Sequence, residues 1–385
     1  MRIGLSCPYN ILTPGGVKQH VLALYRKFKE WGHEVFVITP GVTGGPKSSD
    51  FVYLGRGIKI LGNKSVGTLN FCLGVVNDPV EEFLKRAKLD ILHIHEPMIP
   101  FLNWQLLEGS RAVNIATFHS NYPESQSINS WRFILKPIEP HYIKKIDGGI
   151  AVSEVAKKCW WEFMVGKGVI IPNGVDTERF NPKVEPLDKY KDGKVNILYV
   201  GRLEPRKGIL ELLRAFNGMI RNVEEVRRKV RLLIVGLGPS NYRAKLFVRQ
   251  HGLSRNVVFE GGVSDRVLPK YYAMSDIFCS PAVGGESFGI VLLEAMASGK
   301  PVVCFANEGY KEVMKNYPWK EALVEVRDVF GLANSLLSLI ENKRLREKLG
   351  RWGVGKVRRY SWDKVAGRVL EFYEKVRRKK EKEKN

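Results

Sequence analysis

Three cations stand close together in "VGRLEPRKGI": Arg202, Arg206 and Lys207. A guanidinium binds an anion through a planar fork, and a lysine ammonium adds a compact charge. At the turn from a strand into a helix, such cations suit a diphosphate, although a solvated charged turn would carry the same residues. A second stretch, "GGESFGIVLLEAMASGKPVV" at 284–303, holds Glu286 and Glu294. On one continuous helix, positions eight apart lie roughly 12 Å apart along the axis. That is too far to share a proton or a metal ion, so the two carboxylates act on different parts of an extended ligand. With the helix opening near Phe288, Glu286 precedes it, and free N–H groups from about Ser287 through Phe288 and Gly289 to Ile290 face an anion. The arrangement fits a nucleotide sugar stretched along the site. Glu294 meets ribose hydroxyls, the cations and helix end meet the diphosphate, and Glu286 meets the sugar. A Glu294 that is merely buried or salt-bridged is the rival reading.

Two loops in the first half invite the same question. In "CPYNILTPGG", Gly15 and Gly16 open a helix, and without side chains they let a phosphate or sugar approach the backbone. A plain turn would look the same. In "ATFHS", His119 follows a strand directly, where a ligand-facing histidine and a structural one both fit.

The elements that must position these residues alternate. "RIGLSC", "EVFVIT", "DILHIH", "AVNIATF" and "GGIAVS" read as short strands. "VKQHVLALYRKFKEWG" has helical apolar spacing at Val17, Val21, Leu24, Tyr25 and Phe28. Residues 41–75, rich in Gly, Lys and Ser, read as loops. Pro, Asn-Gly and charges at 171–194 read as a linker. The alternation restarts with "VNILYVGRL", "VRLLIVGLGP", "NVVFEGG", "DIFCSP" and "KPVVCF". Strands alternating with helices imply parallel sheets. The fold class is α/β, with two Rossmann-like doubly wound domains facing a cleft. Their ligands bind beyond the carboxyl ends of the strands.

The chain has 385 residues, 44% of them hydrophobic, enough for two domains with sizeable cores. Its five cysteines are scattered and include no CxxC pair, which points to a reducing compartment and away from a disulfide framework or zinc site. No apolar run reaches the ~18 residues of a spanning helix, so a cytoplasmic protein is expected. The net charge of +22 is uneven: residues 1–180 carry 21 Lys/Arg against 16 Asp/Glu, and residues 181–385 carry 41 against 24. That balance implies an anionic partner, such as phosphorylated ligands or an acidic membrane surface touched by the basic tail "KVRRKKEKEKN". No RNP-type or zinc-finger signature supports specific nucleic-acid recognition.

Taken together, "TPGGV", "ATFHS", "IPNGVD", "GRLEPRKG" and "GGESFGIVLLEAMASGKPVV" resemble the retaining glycosyltransferases of the GT-B fold, family 4, over essentially the whole chain. "CPYNILTPGGVKQHVL", "LHIHEP" and the doubled glycine before Glu286 look most like the phosphatidylinositol mannosyltransferases, which use GDP-mannose at a membrane surface. By position, the resemblance implies donor contacts at Gly16, Arg202, Lys207, Glu286, Glu294 and the Ser287–Ile290 turn, with base contact near Val263. His119 and Ser120 fall on the sugar and acceptor side, and Tyr9, Thr13, Asn63 and Ser65 fall where the acceptor lies. His119, Glu286, Arg202 and Lys207 are the implied catalytic set.

The resemblance implies domains over 1–175 (acceptor) and 190–360 (donor), with a helix over 361–385 crossing back to the first. It implies no cofactor and no metal, and the chain contains no Asp-x-Asp. The implied partners are a nucleotide-sugar donor and a lipid or glycan acceptor. Thr68 and Glu124 stand where that subfamily tends to have basic residues. The rival readings are a UDP-sugar-dependent transferase, a GT-B epimerase or sugar phosphorylase, and a polyanion-binding protein of the same fold without catalysis.

Overall fold

A computed structural model describes residues 1–13, 15–41, 44–56, 78–120, 139–158 and 168–384. The expected acceptor residues Asn63 and Ser65, like Thr68 and Glu124, lie outside the described residues. The chain divides into two compact units, residues 1–174 with 362–385, and residues 175–361.

The first unit is built on a parallel sheet of β1 (Arg2–Ser6), β2 (Glu34–Gly41), β3 (Phe51–Arg56), β4 (Ile91–His95), β5 (Val113–Phe118), β6 (Gly148–Ala151) and β7 (Gly168–Ile170). Their spatial order is β3-β2-β1-β4-β5-β6-β7. Every residue of β4 and β5 is buried, so these strands read as near-continuous apolar runs, as strands covered on both faces do. The first helix, Gly16–Glu30, buries His20, Val21, Ala23, Leu24 and Phe28 on one face.

Residues 41–75 were expected to be loops, yet Phe51–Arg56 is a strand, pairing Phe51 with Val37 and Leu54 with Pro40. It is the outermost strand of the sheet, only partly buried at Phe51, Val52 and Tyr53. The glycines and polar residues around it mask its apolar signal.

The last helix, Trp362–Lys384, packs on this unit and not on the one whose chain it follows. Val365, Ala366, Val369, Tyr373 and Val376 form an apolar stripe at helical spacing inside the core of the first unit. The Tyr373 ring meets Phe28 at 5.8 Å, and its hydroxyl bonds His93 Nδ1. A Cβ on Gly148 would lie 2.8 Å from Val376, so the helix approaches β6 closely only because that residue is glycine. Lys380 closes the far end on the Asp147 carboxylate at 2.5 Å.

The second unit repeats the plan with β8 (Val195–Val200), β9 (Val230–Val235), β10 (Val257–Gly261), β11 (Ile277–Ser280), β12 (Val302–Phe305) and β13 (Leu323–Val324). Their order is β10-β9-β8-β11-β12-β13, all parallel. The stretch expected as a linker is packed on this unit: Val175 and Phe180 are buried in its core, and the Val175 N–H donates to Tyr360 O. The charge asymmetry also changes once the last helix is counted where it folds. Residues 175–361 carry 33 Lys/Arg against 21 Asp/Glu, and the first unit carries 29 against 19. The excess is therefore +12 and +10, nearly even.

Tyr373→Ala removes a fully buried ring and the partner of His93, and should cost about 3–5 kcal/mol. Lys379→Ala, on the exposed face, should stay within ~0.5 kcal/mol. Urea unfolding of the two variants checks this; equal losses would show that the stripe does not anchor the helix.

Candidate active site

Parallel strands end on one edge of a sheet, so the loops after β8, β9, β10 and β11 all emerge on the same side of the second unit. Those loops touch backbone to backbone. A Cβ on Gly208, where φ is 72°, would stand 1.8 Å from Pro281 O; on Gly236, where φ is 143°, 1.9 Å from Gly201 O. A Cβ on Gly309 would meet Glu286 O at 2.4 Å. Side chains are excluded at these positions so that the loops can brace one another.

On this support the charges alternate. Arg202 lies 3.2 Å from Glu204, and the Glu204 carboxylate also accepts from Arg206 Nε at 3.1 Å. Arg206 then donates to Glu286 Oε1 at 2.7 Å, the oxygen that Lys207 Nζ reaches at 2.7 Å. Glu204 is buried, which is tolerable only because two guanidinium groups share it. Burial pulls the Lys207 ammonium below its usual pKa, opposed by Glu286. The two loops are also stitched by main chain: Val283 N–H donates to Arg206 O, and Arg206 donates to Gly285 O.

Arg202, Lys207 and Glu286 are therefore brought together, but Glu286 is held by Arg206 and Lys207 and does not stand alone. Glu204 was not among the expected site residues, and Arg206 was read only as a neighbouring cation, not as the partner of both carboxylates. Both sit inside the quoted motif, yet only the fold shows which cation meets which carboxylate.

The helix expected near Phe288 begins at Ile290 and runs to Ala297. Gly289 precedes it with φ 112°, a left-handed conformation that delays the start of the helix. Ser287 is half-buried. The Phe288 side chain is buried in the core against Tyr360. Val263 packs partly buried after β10. Glu294 accepts from the Tyr272 hydroxyl at 2.7 Å, and burial raises its carboxyl to about 7. Twenty-two residues separate that pair in sequence, and no local pattern points to it.

In the first unit, Gly16 opens its helix on an exposed turn, Thr13 is exposed, and the Tyr9 carbonyl accepts from Thr39 at 3.1 Å. His119 was expected at a strand end, as either a ligand-facing or a structural histidine. It is buried, in a cluster with His20, His93 and His95. His119 Nε2 lies 2.9 Å from His95 Nδ1, and the rings of His20 and His119 meet edge-on at 4.8 Å. Beside them Glu96, buried and at positive φ (52°), accepts from Ser120 Oγ at 2.5 Å and from the His119 N–H at 3.2 Å. Burial raises the Glu96 carboxyl to about 7. A strained, buried carboxylate at a strand end is a common mark of a functional site. Glu96 was not among the expected site residues, although its place directly after the strand in "LHIHEP" is a signal that could have found it.

Family models agree with this architecture. "Glycosyltransferase Family 4" matches residues 14–179, and "Glycosyl transferases group 1" matches residues 183–353. The chain is a family 4, group 1 glycosyltransferase. It is 36% identical over 377 residues to a phosphatidyl-myo-inositol mannosyltransferase of Mycobacterium leprae, covering 98% of this chain and 97% of the relative. The corresponding protein of Mycobacterium tuberculosis is 35% identical over 380 residues, again covering 98% and 97%. Among solved structures, a Rickettsia africae glycosyltransferase superposes with TM-score 0.75 at 22% identity, covering 97% of this chain and 98% of that one. Anabaena HepE, solved with UDP and glucose, gives 0.75 at 17%, covering 96% and 98%. These two establish the fold of the transferase.

The buried groups set an opposed pH dependence for this glycosyltransferase. Burial lowers His20 from 6.5 to about 4 and holds His93, His95 and His119 well below their usual value. A base depressed in the folded state contributes stability that is complete above ~6.5 and lost as pH falls; for His20 alone this is roughly 3 kcal/mol. Glu96 and Glu294, raised to about 7, contribute stability present below ~4.5 and lost as pH rises through 7. With four histidines around one glutamate, the first unit should lose stability on acidification from pH 7 to pH 5. Thermal melts across that range should show a shallower fall for His20→Gln and a steeper one for Glu96→Gln. Parallel curves for all three proteins would refute the assignment.

Proposed function

We propose that this glycosyltransferase moves mannose from GDP-mannose to a hydroxyl of an inositol phospholipid, with retention of anomeric configuration and without a metal ion. The observation that carries the reading is the 36% identity to a phosphatidyl-myo-inositol mannosyltransferase over 98% of the chain. A shorter match agrees: residues covering 52% of the chain are 30% identical to a GDP-mannose-dependent phosphatidylinositol monomannoside mannosyltransferase of Mycobacterium tuberculosis.

The donor diphosphate lies against Arg202, Lys207 and the start of the Ile290–Ala297 helix, where fixed charges meet the negative charge that grows as the glycosidic bond breaks. Three cations and two carboxylates leave the network one positive charge in surplus, so the diphosphate competes with Glu286 for Lys207 and Arg206. Once displaced, the Glu286 carboxylate turns to the sugar hydroxyls and the oxocarbenium character at the anomeric carbon. That carbon loses its bond to the phosphate oxygen and gains one to the acceptor oxygen on the same face. The acceptor's proton passes to the departing phosphate oxygen. Glu294 takes the ribose hydroxyls, Val263 lies beside the base, and the first unit carries the acceptor, with His119 and Ser120 on the sugar side. No helix among the described residues is long and apolar enough to cross a membrane. The enzyme meets its lipid at the surface of an anionic bilayer, to which its basic excess draws it.

Lys207→Ala should cut kcat by ~10²-fold or more, the scale of losing one preorganised donor. Glu294→Ala should mainly raise KM, because ribose hydroxyls gain no charge in the transition state. Glu286→Gln should lower kcat more than KM changes. Initial rates of the three variants with GDP-mannose and phosphatidylinositol vesicles, with and without EDTA, test the set. Activity abolished by EDTA and restored by Mg²⁺ would defeat the cation mechanism. A larger thermal shift with UDP-glucose than with GDP-mannose would defeat the donor assignment.

A further inference from the structure

We propose that His20, His95 and His119 form a binding site for a zinc-class divalent cation within the first unit. Each offers one ring nitrogen, and the three nitrogens lie within 4.8 Å of one another. Their ring centroids are 5.3, 4.8 and 5.2 Å apart. Imidazoles around a tetrahedral ion, each at ~2.0–2.1 Å, hold their nitrogens about 3.4 Å apart. The widest pair of nitrogens would therefore close by up to about 1.4 Å.

Two further observations point to a ligand. His20 Nε2 and His95 Nε2 are buried without a hydrogen-bond partner among the described residues, a costly arrangement for polar atoms. His20 Nδ1 stands 2.8 Å from Asn173 Oδ1. A carbonyl oxygen can only accept, so the proton is on Nδ1 and the orphan Nε2 carries a lone pair. Metal-binding histidines are oriented in just this way, donating their second nitrogen to a carbonyl or carboxylate. His95 Nε2 is the second orphan: with Nδ1 donating to His119 Nε2 it too carries a lone pair, and an ion that took His119 Nε2 as well would replace that hydrogen bond.

The three side chains are buried together, so their nitrogens form one enclosed donor set. The donor set also decides which cation. Three neutral nitrogens suit Zn²⁺, Co²⁺ or Ni²⁺, whereas Mg²⁺ and Ca²⁺ require oxygen ligands. The three ligands come from the first helix and from the ends of β4 and β5, so an ion here would tie those elements together. With three protein ligands, a fourth position remains for water. The inference concerns binding alone and does not rest on the donor, acceptor or mechanism proposed above.

The test uses the full chain, stripped with a chelator and desalted, then titrated with Co²⁺. One equivalent should give visible absorption bands that Zn²⁺ displaces, and Zn²⁺ should raise the melting temperature while equal Mg²⁺ or Ca²⁺ does not. His20→Gln should lose the bands and the shift. Asn173→Ala, which keeps all three ligands, should weaken Zn²⁺ binding by about 10–100-fold at unchanged stoichiometry; it decides the matter if His20→Gln does not fold. A wild-type chain that gives no Co²⁺ bands overturns the proposal. So do bands and affinities that persist unchanged in both variants.

Discussion

The second unit depends on the shared carboxylates. Glu204 joins Arg202 to Arg206, and Glu286 joins Arg206 to Lys207, so three like charges stand on the one loop after β8, held by a carboxylate of that loop and one from the loop after β11. The pairs need the loops close, and the loops come close only where glycine replaces a side chain. Gly208 lies against Pro281, and Gly309 against Glu286. A methyl group at either place would push apart the elements that carry the opposite charges. The electrostatics and the backbone conformation are one constraint, and the conventional-looking motif "GRLEPRKG" is as much a packing device as a binding one. On the proposed reading, an incoming diphosphate enters a network that is already paired, so binding would exchange partners and not fill a void.

The first unit solves a different problem at the same edge of its sheet. Its polar groups are sunk in the core and connected in a row: Ser6 to Asn103, Asn103 to the carbonyls of His95 and Glu96, Glu96 to Ser120 and the His119 N–H. Each link costs desolvation and is held by the next. Such networks fix one arrangement of the strand ends when fully satisfied and are expensive when they are not. The last helix closes the set from outside, through the Tyr373 hydroxyl on His93 and the Trp362 ring against His20 at 5.1 Å. A helix far along the chain from every strand of this unit thus supports the histidines on its first helix and fourth strand.

Much of this architecture is legible in the amino-acid sequence alone. Alternating strands and helices imply two parallel sheets because the period of apolar residues is local information. The carboxyl ends follow from the topology, and Arg202, Lys207, Glu286 and Glu294 follow from the carboxyl ends. What stays hidden is what depends on contacts between distant segments. The pairing of Arg206 with Glu286 spans 80 residues, Glu294 with Tyr272 spans 22, and His20 with Asn173 spans 153. The histidine cluster is the clearest case: His20 reads as a polar residue on an amphipathic helix, His93 and His95 as part of an apolar strand, and His119 as a strand end. Only the sheet order, which sets β4 between β1 and β5, brings them together. The outermost strand Phe51–Arg56 is hidden for the opposite reason, since an edge strand buries little and shows little periodicity.

Charge gives the same lesson in a form that bears on the membrane. Read along the chain, the basic excess belongs to the second half and its tail. Read in the fold, the tail belongs to the first unit, and the two units are almost equally basic. The last helix carries nine Lys/Arg against five Asp/Glu, and much of that is compensated within it. Arg377 pairs with Glu381 at 2.9 Å, Arg378 with Glu374 at 3.6 Å and Lys379 with Glu383 at 3.8 Å, each one helical turn apart. Lys380 is engaged by Asp147. A helix so internally paired is a weak polyanion contact for its charge count, because a bilayer has to compete with its own carboxylates. On the proposed reading, attraction to an anionic surface would then come from basic residues distributed over both units. Spread in that way, each contributes only within a Debye length of the surface, about 8 Å at physiological salt. Orientation on such a surface, more than the tail, would decide how many of them count.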